Sequence, residues 1–113
     1  MFLRGNRPAV VLPLGKLPAL CLSLERAGYR QHRGPRTTHD GELEAWVRAL
    51  DRERQVHVQI VSPKRGGNAR LYAHTEPRGF TLKHLFAALF DSVSYQAGAK
   101  VLRADLAKVK GLP

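Results

Sequence analysis

Two segments in the middle of the chain alternate almost perfectly between apolar and polar positions. In residues 55–61 the alternating apolar positions are Val56, Val58 and Ile60, and residues 69–75 continue the same alternation. A period of two is typical of β-strands that bury one face. The stretch between them, SPKRGGN, is rich in turn-forming residues and predicts the loop of a β-hairpin.

A third apolar segment, residues 42–50, fits two patterns. Leu43, Trp46, Val47 and Leu50 have the spacing of a helical stripe, whereas every second residue from Leu43 onward fits a strand. We favour the strand, because a lone two-stranded hairpin is marginally stable in water and a third strand would stabilise it.

Helical spacing of apolar residues predicts a helix over residues 17–27, with Pro18 in its first turn and Gly28 at its carboxyl end. A second helix is predicted from Thr81 to Val93, and a third over residues 99–109. Gly98 separates the last two.

Two further segments complete the chain. Residues 9–14 predict a short buried strand or an extended arm. The polar residues 29–41, YRQHRGPRTTHDG, predict a loop because Gly and Pro lie in their middle. We therefore expect one α+β domain over residues 1–113: a three-stranded antiparallel meander with helices packed on one face, in the order β (uncertain), α, β, β, β, α, α.

The predicted turns fix which residues face each other. Centring the hairpin loop between Arg65 and Gly66 places His57 opposite His74. Centring the preceding turn near Arg52–Glu53 places Arg48 opposite His57, and by the same register Trp46 opposite Gln59. A polar sheet face is then predicted, made of Glu44, Trp46, Arg48, His57, Gln59, Arg70, Tyr72, His74 and Glu76. The opposite face, with Leu43, Ala45, Val47, Val56, Val58, Ile60, Leu71, Ala73 and Thr75, would pack against the helices.

The charge indicates the partner of this polar face. Nineteen Lys and Arg against nine Asp and Glu give a net charge of +10, which favours a polyanion such as nucleic acid. We expect a basic nucleic-acid-binding protein, with RNA or a single strand favoured. Trp46 and Tyr72 would stack on bases. The remaining predicted contacts are Arg48, His57, Arg70 and His74, with Lys64, Arg65, Arg33 and Arg36 at the periphery.

Catalysis is an alternative, although the sequence leans against an enzyme. His57 and His74, with Arg48 and Glu76 beside them, are the side chains that a small, toxin-like, metal-independent ribonuclease would need. A zinc site from His57, His74, Glu76 and His84 is a weaker hypothesis, because the spacing is not a recognised ligand motif. We expect neither a metal nor a cofactor.

A protein-interaction subunit is the third possibility, because Phe90, Val101 and Val109 lie partly outside the predicted core stripes and would suit a homodimer or a protein partner of the C-terminal helices. The lone cysteine, Cys21, lies on an apolar helix face and is predicted to be a buried hydrophobe, which fits a cytoplasmic location. The apolar run at residues 9–14 is too short to span a bilayer, so no membrane partner is expected.

The predicted order of helix, three strands and helix over residues 17–93 resembles that of double-stranded-RNA-binding domains and of the toxin ribonucleases that share their topology. The Lys-rich helix start of the former is reduced to Lys83 in TLKHL, and RGPRTTH only echoes the Gly-Ser-His signature of the latter. The resemblance is therefore one of element order, and no family follows from it.

Overall fold

The computed structural model describes residues 7–39, 41–78 and 94–109. The elements are β1 (Val10–Pro13), a short 3-10 helix (Leu14–Lys16), α1 (Leu17–Arg26), β2 (Arg30–Thr38), β3 (Gly41–Ala49), β4 (Arg54–Pro63), β5 (Asn68–Pro77) and α2 (Tyr95–Ala107).

The strands form one antiparallel sheet in the order β1-β5-β4-β3-β2. The α+β class is confirmed. The three predicted strands form an antiparallel meander, β3-β4-β5, but the predicted sheet is inexact, because the sheet has five strands in the described part of the chain. The segment 42–50 is a strand, as favoured, and residues 9–14 contribute β1.

The predicted loop at residues 29–41 is instead the edge strand β2. The strand has no alternation of apolar and polar residues that would predict it, because all of its positions up to Thr37 are exposed and its side chains are polar. Pro35 is tolerated because an edge strand leaves one side of its backbone unpaired. The pairing with β3 shifts register twice, first at His32, between Gln31 and Arg33, and then over Gly34–Pro35, between Arg33 and Arg36. Such shifts are typical of β-bulges.

The hairpin of β4 and β5 has the predicted register. His57 pairs with His74, and the loop turns through Gly66 and Gly67, whose φ angles of 80° and 109° are positive. Such angles favour glycine, so the GG pair fixes the turn.

The predicted register between β3 and β4 is wrong by one residue. Val47, not Arg48, lies opposite His57, and Trp46 lies opposite Val58. The cause is the turn, where Asp51 Oδ1 accepts hydrogen bonds from the backbone N–H groups of Glu53 and Arg54 at 2.8 and 2.9 Å. This side-chain cap fixes the turn, so that the pairing of β3 with β4 differs by one residue from the predicted pairing.

A one-residue slip transfers every side chain of a strand to the other face. Glu44, Trp46 and Arg48 therefore face the helices, and Leu43, Ala45 and Val47 share a face with the histidines. The core lies between the sheet and both helices. Its buried members are Ala9, Leu12, Leu20, Leu24, Tyr29, Trp46, Val56, Val58, Ile60, Ala69, Leu71, Ala73, Leu102 and Leu106.

The helices differ from prediction in one place. α1 has the predicted bounds to within one residue, but α2 begins at Tyr95 rather than residue 99. Ser94 caps α2 by accepting a hydrogen bond from the N–H of Ala97, and Gly98 lies inside the helix, buried. The predicted helix from Thr81 to Val93, with Lys83, His84 and Phe90, lies outside the described residues.

Strand β2 also changes the element order on which the family resemblance was based. Four strands, not three, follow α1 before residue 78. Among the described helices, none is long and apolar enough to cross a membrane.

Candidate nucleic-acid interface

The sheet face away from the helices is built from rows of directly paired residues. Each row begins with an arginine on β2 and crosses an apolar residue on β3 before it reaches polar residues on β4 or β5. The rows are Arg30–Val47–His57–His74, Arg33–Ala45–Gln59–Tyr72 and Arg36–Leu43–Val61–Arg70. Successive rows are about 6.6 Å apart, because side chains on one face recur every second residue. We call this surface the arginine-row face.

A cavity of about 630 Å³ lies on the arginine-row face. Its apolar floor is Leu43, Ala45 and Val47, and its rim is basic on one side and polar on the other. The rim residues include Arg30, His32, Arg33, Arg36, Gln55, His57, Gln59 and Glu76. The volume lies in the range of natural small-molecule sites.

The arginines at the rim are available to a ligand. Arg30, Arg33 and Arg36 are exposed and form no ion pair with any residue that the structure describes. Glu44, which also lines the cavity, is engaged elsewhere: its carboxylate accepts hydrogen bonds from Gln31 and from the indole of Trp46. Three unpaired guanidinium groups on one strand make a local excess of positive charge.

At one end of the cavity, two histidines converge on one carboxylate. His74 Nε2 is 2.6 Å from Glu76 Oε1, and His57 Nδ1 is 3.3 Å from the same oxygen. The two imidazole rings have centroids 5.0 Å apart. The other carboxylate oxygen accepts a hydrogen bond of 2.7 Å from Gln55 Nε2, so the Glu76 side chain is held on both sides.

The carboxylate of Glu76 stays ionised despite its burial. Burial alone would raise its pKa, but hydrogen bonds from His57, His74 and Gln55 outweigh that effect and hold the pKa well below its ordinary value. Nε2 of His57 is buried and has no hydrogen-bond partner among the described residues. A proton there would be a donor without an acceptor, so the geometry favours the tautomer that donates from Nδ1 to Glu76.

Helix α2 supports this cluster from the sheet edge. The backbone of Gly98 lies so close to the backbone of His74 that a Cβ would overlap it. The ring of Tyr95 lies 5.5 Å from that of His74. Burial, and next the charge of Glu76, raise the pKa of Tyr95 above its ordinary value.

Two residues predicted for the interface lie elsewhere. Trp46 is buried in the core beneath the helices, and its indole N–H donates to Glu44 at 3.3 Å. Arg48 Nε lies 2.8 Å from Asp105 of α2, and the same oxygen of Asp105 accepts a 2.7 Å hydrogen bond from Tyr29. Trp46 and Tyr72 therefore point to opposite sides of the sheet, and the predicted aromatic pair does not form.

The other predicted residues are on or near the arginine-row face. Arg33, Arg36, Arg70, Tyr72, His57 and His74 belong to its rows. Lys64 and Arg65 are exposed in the β4–β5 turn, beyond the end of the cavity. Glu76, one of the catalytic candidates, lies beside both histidines. His84 is outside the described residues.

Arg30 and His32 also line the cavity, although the sequence pattern did not single them out as site residues. The charge of YRQHRGPRTTHDG was visible, but a loop assignment does not say on which face its side chains fall. His32 lies with its ring centroid 6.0 Å from that of His57, so β2 contributes a third imidazole to the same end of the cavity.

Comparison of the chain with protein-family models, with curated protein sequences and with solved structures finds no match.

Proposed function

We propose that the protein binds nucleic acid, with RNA or another single strand favoured, along the arginine-row face. The observation that carries this proposal is the alignment of Arg30, Arg33 and Arg36 beside the apolar floor of the cavity on β3, which we call the trough. A net charge of +10 adds a field that attracts polyanions.

In this arrangement phosphates lie along β2 and bases lie over the trough. Guanidinium groups bind phosphate oxygens in bidentate fashion. The apolar floor of Leu43, Ala45 and Val47 suits the flat surface of an unpaired base, and Gln59 offers an amide to base edges. A duplex buries its base faces by stacking, which is why the trough favours a single strand.

Because Trp46 is buried in the core and not on this face, the expected contacts to the nucleic acid change. Tyr72 is the aromatic residue of the three rows, and it lies on β5, across the sheet from the three arginines of β2. Base stacking therefore contributes less than the sequence suggested, and phosphate contacts contribute more. Such binding depends steeply on salt and weakly on base sequence.

Fluorescence anisotropy of a labelled single-stranded RNA tests the proposal. Three phosphate contacts predict that affinity falls about 40-fold between about 50 mM and about 300 mM salt. Equal affinities at the two salt concentrations would contradict electrostatic binding. Single-stranded DNA and duplex RNA of the same sequence, measured alongside, identify the preferred nucleic acid.

A metal-independent ribonuclease is the second candidate, because His57 and His74 face each other and share Glu76. General acid–base cleavage of RNA requires one imidazole to accept a proton and another group to donate one. Protein freed of metal by a chelator should then cleave RNA between about pH 5 and 8, the range in which histidine side chains commonly serve as general acid and base. His57→Ala and His74→Ala should each abolish that cleavage, whereas intact RNA throughout would exclude the reaction.

The partner and location inferred from the sequence stay predictions. Val101, assigned to a protein interface, packs against the core of this chain instead. That packing lowers the apolar area that α2 offers to a homodimer or a protein partner. A cytoplasmic location is proposed from the single cysteine alone, and cell fractionation would test it.

A further inference from the structure

We infer that His57, His74 and Glu76 form a binding site for a divalent transition-metal ion, with zinc the best fit. This inference comes from the convergence of three side chains and does not depend on the proposed nucleic-acid function.

The donor atoms are close enough to share one ion. His57 Nδ1, His74 Nε2 and a carboxylate oxygen of Glu76 all lie within 4.8 Å of one another. Ligands bound to zinc at about 2.1 Å in tetrahedral geometry lie about 3.4 Å apart. Shifts on the order of 1 Å in side-chain position, with the ring proton of His57 moved from Nδ1 to Nε2, therefore convert the hydrogen-bonded cluster into a coordination sphere. The move leaves the buried Nε2–H without a partner among the described residues, a cost that metal binding must exceed.

The donor set selects the class of metal. Two imidazoles and one carboxylate are a known set of three protein ligands for zinc, with water or substrate in the fourth position. Calcium and magnesium prefer oxygen donors throughout, so two nitrogen ligands disfavour them.

The backbone holds the ligands in register. His57 and His74 are directly paired across β4 and β5, and Glu76 follows His74 by two residues on the same face. Positions on paired strands are more rigid than positions on loops. Gln55, paired with Glu76, donates to the second carboxylate oxygen at 2.7 Å, which is the kind of outer contact that orients a metal-binding carboxylate.

The site is reachable from solvent. His57 and Glu76 line the 630 Å³ cavity, so an open coordination position can face its interior. An ion there would lie in the row of Arg30 and near the ring of His32. A phosphate oxygen or a water molecule bound in the cavity is then a suitable fourth ligand.

Isothermal titration of Zn²⁺ into untagged protein, previously stripped with a chelator, tests the site. We expect one equivalent of zinc bound with micromolar affinity or tighter. His57→Ala, His74→Ala and Glu76→Gln should each weaken binding at least about tenfold, the smallest loss typical even of residues that only support a ligand. The matched control His39→Ala, at an exposed histidine of the β2–β3 turn, should change affinity less than twofold (about the scatter between independent sites).

Binding retained in all three site variants, or no saturable binding by the parent protein, would overturn the inference. Co²⁺ provides a second readout that needs no variant. An intense visible spectrum of four-coordinate cobalt in the parent protein supports the site, and the weak spectrum of a six-coordinate ion contradicts it. Both outcomes are independent of whether the protein binds or cleaves RNA.

Discussion

Arg48 on β3 and Asp105 on α2 are joined by a 2.8 Å ion pair, 57 residues apart in sequence, on the helix side of the sheet. Asp105 is buried and also accepts the hydrogen bond of the Tyr29 hydroxyl. Burial, together with that bond, raises the pKa of Tyr29 well above its ordinary value. The pair ties the last helix to the sheet and withdraws Arg48 from the arginine-row face.

Removing this guanidinium should therefore affect stability and not binding. Arg48→Ala leaves the buried carboxylate of Asp105 without its cation and should lower the free energy of unfolding by about 2 kcal/mol in urea titrations. Arg70→Ala removes the same charge from the arginine-row face and should show the reverse: weaker RNA binding and unchanged stability. If Arg48→Ala weakened RNA affinity without lowering stability, this prediction would be contradicted, and Arg48 would belong to the RNA-binding surface.

The only tryptophan of the chain reports its own location. Because Trp46 is buried opposite Val58, its fluorescence should be blue-shifted, resist acrylamide quenching and stay unchanged at saturating RNA. Trp46→Phe should leave RNA affinity within about twofold, since the side chain makes no stacking contact. Strong quenching of the Trp46 fluorescence by RNA would contradict this prediction, because it would indicate that the indole contacts a bound base.

Gly98 should not tolerate alanine, although it lies inside a helix. Alanine in place of a helical glycine ordinarily stabilises by about 1 kcal/mol. Here the added Cβ would overlap the backbone of His74, so Gly98→Ala should destabilise by about 1–3 kcal/mol. Gly15→Ala is the matched control, because no atom lies within 4 Å of the position of its Cβ. Equal melting temperatures for the two variants would contradict the close helix–strand contact.

Cys21 should react slowly with disulfide reagents. It is half-buried against the core, and burial, with smaller contributions from Glu44 and Glu25, raises the pKa of its thiol to about 11 from 9.0. At pH 8 a smaller fraction of Cys21 is thiolate in the folded protein than in the urea-unfolded protein, although each thiolate of higher pKa is a better nucleophile. The two effects together predict that the folded protein reacts about tenfold more slowly. The folded protein's rate should keep rising above pH 9. A plateau near pH 9 would indicate an ordinary thiol.

The sequence predicted the β4–β5 hairpin because two local signals agree there. The alternation defines both strands, and Gly66 and Gly67 define the turn, so the facing of His57 and His74 was predictable. The preceding turn was not, because a side-chain cap by Asp51 decides its length. That single residue of register determines the face on which Trp46 lies.

The site itself was predictable only in part. The charge of residues 29–41 suggested phosphate contacts, which stay a proposal, but an exposed edge strand has no apolar alternation that would identify it as a strand. Its pairing with β3, which aligns Arg30 with Val47 and His57, depends on bulges that the sequence does not signal. The position of the Glu76 carboxylate beside the histidines was predictable, because Glu76 lies two residues after His74 and therefore on the same face of β5.

The salt dependence of RNA binding by a matched pair of triple variants tests the central claim most directly. One variant replaces Arg30, Arg33 and Arg36 with Ala. The other replaces Lys16, Arg26 and Lys108, which are exposed on or next to the helices, and so removes the same charge. The slope of log affinity against log salt should shrink by about 2 in the first variant, at about 0.7 per lost phosphate contact with a single strand. It should stay near the parent value in the second, whereas equal losses in both would mean that net charge, and not the arginine-row face, binds the nucleic acid.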